Sequence, residues 1–131
     1  MLKPGIISFA TASGIGNVAS GDFSFTYYAE EIGYYQSKGN TYKYRITAYK
    51  GAQESAVPFE TSQHQDNNSY DADRNWYQNK NVVTWGAVTG ADGYRVYRYF
   101  YDSEYGLYDN FGSYKQVDGQ ANTTYEDTGI W

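Results

Sequence analysis

The chain has 131 residues, a formal charge of −5 and no cysteine. That length is one domain's worth, and folding would bury somewhat under about 70% of the unfolded surface, enough for a core without disulfide or metal staples. The acidic balance disfavours a nucleic-acid partner, which selects a basic surface; the missing cysteine excludes thiol chemistry; and no run nears the roughly 20 apolar residues of a membrane helix.

Aromatic residues make up 20% of the chain, with 17 Tyr against 14 Gly and 2 Pro. Tyrosine favours pleated, half-buried surfaces, and helical periodicity is missing throughout, so the chain reads as all-β. In chain order, "MLKPGIISFATASG" has too short an apolar run for a signal peptide, and Ile7 to Ala10 reads as a first short strand. With no export signal of its own, the chain reads as a cytoplasmic product, a part of an assembly released by lysis, or a piece of something longer. Ala12 to Asp22 reads as a flexible Gly/Ser-rich connection. Its "GIGNVA" imitates a dinucleotide fingerprint, but no helix follows it. Phe23 to Tyr27 alternates as a strand, and "AEEIGYYQSKGN" reads as a loop or short helical turn.

Thr41 to Tyr49 is the clearest strand: Tyr42, Tyr44, Ile46 and Ala48 share one face, and Lys43, Arg45, Thr47 and Tyr49 the other. Gly51 marks a turn. Ala56 to Gln63 predicts a further strand, at an edge or with a bulge because Pro58 lacks a ladder donor. His64 to Asn81 is the longest polar loop. Val82 to Trp85 is a strand, "GAVTGADG" a connection, and Tyr94 to Tyr101 the longest strand, with Tyr94, Val96 and Phe100 inward. "DSEYGLYDNFG" reads as a hairpin-like excursion, and Ser113 to Val117 and Thr123 to Glu126 bring the count to seven or eight strands. Short strands punctuated by turns at regular spacing predict a single antiparallel β-sandwich over residues 1–131. Its expected core is Phe9, Phe23, Phe25, Tyr44, Ile46, Phe59, Val83, Trp85, Tyr94, Val96, Val117 and Tyr125.

Reactive constellations are scarce. His64 sits in a polar loop, and its neighbours Ser62 and Ser69 do not make a triad. The pairs Glu30–Glu31 and Asp102–Glu104 lie at loops without spacing that implies a cleft. Asp71, Asp73 and Asn75 begin like a calcium loop, but Trp76 stands where glycine is needed and Val82 where a bidentate Glu is needed, so an Asx-rich turn between 66 and 75 is the plainer reading. No catalytic residue, metal or cofactor is expected. The strongest local feature is the tyrosine stripe "YRVYRYFYDSEYGLYDNFGSY". Tyr and Arg together give large amphipathic contact area at low entropy cost, which makes Arg95, Tyr97, Tyr99, Tyr101, Tyr105 and Tyr108 the candidate contact residues. Cross-strand Tyr–Tyr pairing that stabilises the sheet without binding anything is the plain structural alternative.

"NVVTWGAVTGADGYRVYR", "SYKQV" and "TTYEDTG" resemble the middle strands of a fibronectin type III-like module, and "GNTYKYRITAYKGAQESA" resembles its last two. The early position of the latter implies a rearranged strand order, similar to that of modules in phage tail, fibre and baseplate proteins and in some bacterial surface proteins. Tyr27 to Ser37 and His64 to Asn81 stand out as insertions on that pattern. The resemblance implies a non-catalytic virion structural or adhesion module, in a tail, neck, fibre or capsid appendage, whose partners are virion proteins or copies of itself. The alternative it leaves open is a carbohydrate- or surface-binding module of a bacterial extracellular protein, taking a host-surface glycan. Neither reading involves nucleic acid or membrane insertion.

Overall fold

Alternation of apolar and polar side chains along β2 (Thr41–Lys50) and β7 (Gly93–Asp102) builds the centre of the molecule. In the computed structural model, which describes residues 15–31, 41–65, 77–102 and 106–127, these two strands run antiparallel from Thr41↔Tyr101 to Tyr49↔Gly93. β8 (Gly106–Asp118) pairs with the far side of β7. Three two-residue pieces, β3 (Gln53–Glu54), β4 (Phe59–Glu60) and β5 (His64–Gln65), pair with the far side of β2. A second sheet sets β6 (Tyr77–Trp85) between β1 (Gly21–Glu31) and β9 (Thr124–Asp127). The fold is an all-β, antiparallel sandwich, and no helix among the described residues is long and apolar enough to cross a membrane.

Strands from the two halves of the sequence interleave: β1 pairs with β6 and β2 with β7. Between the sheets, Phe23, Val83 and Trp85 meet Tyr44, Ile46, Ala48, Tyr94 and Val96 in one cluster. Phe23 packs edge-on to Tyr44 at 4.7 Å and Trp85 to Tyr94 at 5.3 Å, the geometry that ring quadrupoles favour. Burying each such side chain contributes about 1.5–3 kcal/mol, set against a comparable ordering entropy. The Tyr94 hydroxyl accepts from the Val88 amide at 2.9 Å and donates to the Gln120 carbonyl at 2.7 Å, tying two connections to the core.

Several elements differ from the sequence-based expectation. The segment at 12–22 is not a free connection: Ile15 and Val18 are buried in the core, as are Val88 and Ala91 of "GAVTGADG". Apolar residues spaced irregularly among glycines carry no period, so alternation does not find them. Phe59, Val117 and Tyr125 are only partly buried, packed against the cluster's margin. Phe100 is likewise half-buried, stacked on Tyr42 at 5.0 Å. Phe9 lies outside the described residues; Phe25 lies in β1, opposite Asn81.

Of the strand expected over 56–63, Phe59–Glu60 alone forms, as β4. Ser55 and Thr61 each keep one backbone bond to β2, their amides donating to the Ala48 and Tyr44 carbonyls at 2.8 and 2.9 Å, and supply the return bond from the side chain: the Ala48 amide donates to Ser55 Oγ at 3.0 Å and the Tyr44 amide to Thr61 Oγ1 at 3.0 Å. Between them the chain bulges outward at Ala56–Pro58, where proline has no amide to offer and the Val57 amide turns to Asn17 Oδ1 at 3.2 Å. The long polar loop is shorter than expected at both ends, since His64–Gln65 joins β2 and Tyr77–Asn81 extends β6. Residues 28–31 of the first insertion continue β1, with Glu31 opposite Tyr77. Tyr94–Tyr101 is not the longest strand; β8 is, because residues 106–112 continue the ladder past Tyr114 instead of looping away.

Candidate functional site

The outward face of the large sheet is built from alternate residues of β2, β7 and β8. Arg95, Tyr97 and Tyr99 alternate with the buried Tyr94, Val96 and Arg98, and Tyr101 at the end of the row is 40% exposed. Lys43 stands opposite Tyr99, Arg45 opposite Tyr97 and Thr47 opposite Arg95. On the other side, Tyr114 stands opposite Tyr97 and Gln116 opposite Arg95. Tyr105 lies outside the described residues, and Tyr108 lies within β8.

The tyrosines are only part of this surface. Glu54 is its hub: Thr47 Oγ1 and the Tyr97 hydroxyl donate to one carboxylate oxygen, and Arg95 Nη1 donates to the other at 3.0 Å. Burial alone would raise the Glu54 carboxyl, but these three donors outweigh it and hold it below the usual carboxylate range. Burial, then the bond to Glu54 and its charge, push the Tyr97 hydroxyl well above its ordinary value. Glu60 accepts from Arg45 Nε at 2.7 Å and pairs with Lys43 Nζ at 3.2 Å; the Arg45 bond chiefly lowers its carboxyl. Asp118 is lowered by bonds from the Tyr49 hydroxyl and from Gln116 Nε2 at 2.9 Å. The cations Lys43 and Arg45 thus answer Glu60, and Arg95 answers Glu54.

Rings cover the guanidinium groups. Arg95 lies 4.9 Å from the Tyr114 ring centre and 5.2 Å from that of Tyr49. Arg45 lies 3.9 Å from the centre of Phe111, a cation–π contact. Phe111 belongs to β8, two strands away from Arg45. It reaches β2 because two steps along β7, Tyr97 to Tyr99, answer four along β8, Tyr114 to Asn110. Within that bulge Phe111 has φ 59°, a left-handed conformation uncommon for a residue with a Cβ. Beside it an open depression of about 310 Å³ is lined by Arg45, Thr47, Glu54, Pro58, Tyr97 and Phe111.

Sequence reasoning named the β7 stripe and missed Arg45, Glu54 and Phe111. Arg45 and Glu54 lay on a strand and a turn read as solvated, and no local pattern announces a bulge that throws Phe111 across the sheet. A second charged group was also missed. Arg98 shares the inward face of β7 by parity. It sits buried with Nη1 3.2 Å from both oxygens of buried Asp127 and Nε 3.8 Å from Asp109. Asp127 also accepts from the Tyr44 hydroxyl at 2.6 Å, which in turn accepts from Asn81 Nδ2 at 2.8 Å.

His64 pairs with Asp22 at 3.3 Å, across the two sheets. Among the described residues no three of His, Asp or Glu converge as a metal site; the Asx-rich turn at 66–75 lies outside them. Compared with models of known protein families and with curated proteins, the chain matches none. The face must therefore be read on its own chemistry.

Proposed function

We propose that the chain is a non-catalytic, fibronectin type III-like module that acts through surface contact, as a structural or adhesive part of a phage virion. Its partners are virion proteins or further copies of itself. The observation that carries the contact reading is the outer face of the large sheet. There a row of tyrosines and arginines is fixed in place by Glu54, Glu60 and Asp118, so that little side-chain entropy remains to be lost on docking. The virion setting rests on the sequence pattern from "GNTYKYRITAYKGAQESA" to "TTYEDTG". A photo-reactive residue at Tyr101 or Tyr114, in the chain assembled into particles, is expected to cross-link to a virion protein or a second copy. Particles lacking the chain, or particles in which neither position cross-links, would refute the proposal.

The second reading, a carbohydrate- or surface-binding module of a bacterial extracellular protein, is favoured by the open depression beside Arg45. Glycan-array binding that disappears on Tyr99→Ala and Tyr101→Ala would support it over the first.

A further inference from the structure

The depression beside Arg45 has at its edge an exposed donor that is fixed yet unspent. Arg45 Nε is bound to Glu60 and its guanidinium plane is stacked on Phe111. Its terminal Nη groups have no hydrogen-bond partner among the described residues, and its side chain is 41% exposed. A guanidinium held by a carboxylate and by a ring, with its fork open, is preorganised for a ligand.

Across the same depression Glu54 offers carboxylate lone pairs beyond the three bonds it accepts, since a carboxylate has about four such sites. Phe111 and Tyr97 supply aromatic wall, and Pro58 an apolar lip. The left-handed Phe111 is the only residue other than glycine with positive φ among the described residues. That conformation costs of order 1–3 kcal/mol and persists where the surroundings fix it, which makes it a pointer to function.

We infer that this depression binds an uncharged sugar ring, whose vicinal hydroxyls accept from Arg45 and donate to Glu54 while the ring lies against Phe111. A carboxylate or phosphate ligand would suit the Arg45 fork alone, but it would have to sit against the Glu54 carboxylate in the lining. An uncharged polyol uses both sides of the site, with donors for one and acceptors for the other. The inference rests on the second reading above and specifies its site and ligand.

The test is a nuclear magnetic resonance titration of the whole chain with maltotriose, cellotriose, mannotriose and galactotriose at millimolar concentration. Shift changes centred on Arg45, Thr47, Glu54 and Phe111 are expected for at least one of them, nearly independent of salt. Arg45→Met keeps the aliphatic stem but loses the fork, and binding should weaken by about tenfold or more, as for other hydrogen bonds to charged groups. Phe111→Asn, which tolerates the left-handed conformation, should lose binding with the fold intact by circular dichroism.

Absence of shifts with all four sugars, unchanged affinity in both variants, or tighter binding of trigalacturonate would overturn the inference. Array binding that survives Arg45→Met but not Tyr99→Ala and Tyr101→Ala would overturn this site while leaving the second reading intact. Cross-links from Tyr101 within particles, with no sugar bound anywhere, would leave only the first.

Discussion

Single residues on this molecule act mainly by satisfying, or straining, their neighbours. Glu54 holds Thr47, Tyr97 and Arg95 at once. Its carboxyl is depressed in the folded state, as are those of Glu60 and Asp118. When pH falls, the unfolded chain therefore takes up protons before the folded one. The stability these groups contribute is complete above about pH 5 and is lost as pH drops through their folded values. Urea unfolding across an acid series should show that decline, and Glu54→Gln should flatten it while lowering neutral-pH stability by about 1 kcal/mol, a figure discounted for partial exposure. The Arg98–Asp127 pair is a different case, because both partners are buried. Asp127→Ala takes away the buried carboxylate that Arg98 and the Tyr44 hydroxyl share, and should cost about 3–5 kcal/mol in the same assay. Gly93 is a third: a Cβ there would stand 2.4 Å from the Val117 carbonyl and 2.7 Å from the Tyr49 ring. Gly93→Ala should therefore lower the melting temperature, by roughly 1–3 kcal/mol of stability.

At the level of elements, what could be read in advance depended on whether an element announces itself by period. β2 did: Tyr44, Ile46 and Ala48 are buried on the side that alternation assigned. The other side is less wet than alternation suggests, since Thr47 and Tyr49 are buried too. Glu54 and Asp118 close over them, from β3 and from the end of β8, which the pattern of β2 does not contain. Arg98 was legible by parity, yet a charged residue does not nominate itself as core. β8 was cut in two because glycine and aspartate near residues 106–112 look like loop, whereas the β7 partner row draws them into the ladder.

Among the described residues β8 pairs only with β7. It is the long open border of the large sheet, and such borders recruit other strands unless blunted. Two features blunt it: the bulge at Phe111, and Lys115, which stands opposite Val96 on the inward side. Lys115→Val should therefore raise concentration-dependent association, read by light scattering, with the secondary structure retained.

For the molecule as a whole, tyrosine chemistry sets the alkaline limit. Burial first, and then nearby Asp127 or Glu54, push the Tyr44 and Tyr97 hydroxyls well above their ordinary value. A group whose folded value is raised contributes stability that is full below about pH 10 and is lost as pH climbs beyond it, because the unfolded chain ionises first. Ultraviolet titration should show tyrosinates forming in more than one step. A late set should appear only together with loss of far-ultraviolet ellipticity. Simultaneous ionisation of all tyrosines, with the ellipticity intact, would contradict the buried hydroxyl network.

The interleaving of early and late strands has a consequence for biosynthesis. β1 and β2 leave the ribosome before β6 and β7 have been made; β2 can meet the two-residue pieces β3, β4 and β5 at once, but the long ladders β1–β6 and β2–β7 must wait for the second half of the chain. At about 5–20 residues per second, the delay between Lys50 and Gly93 lasts roughly several seconds. During it β2 lacks β7, the strand with which it forms its long ladder. Nascent-chain capture by trigger-type chaperones should peak in that interval and fall once β7 has emerged.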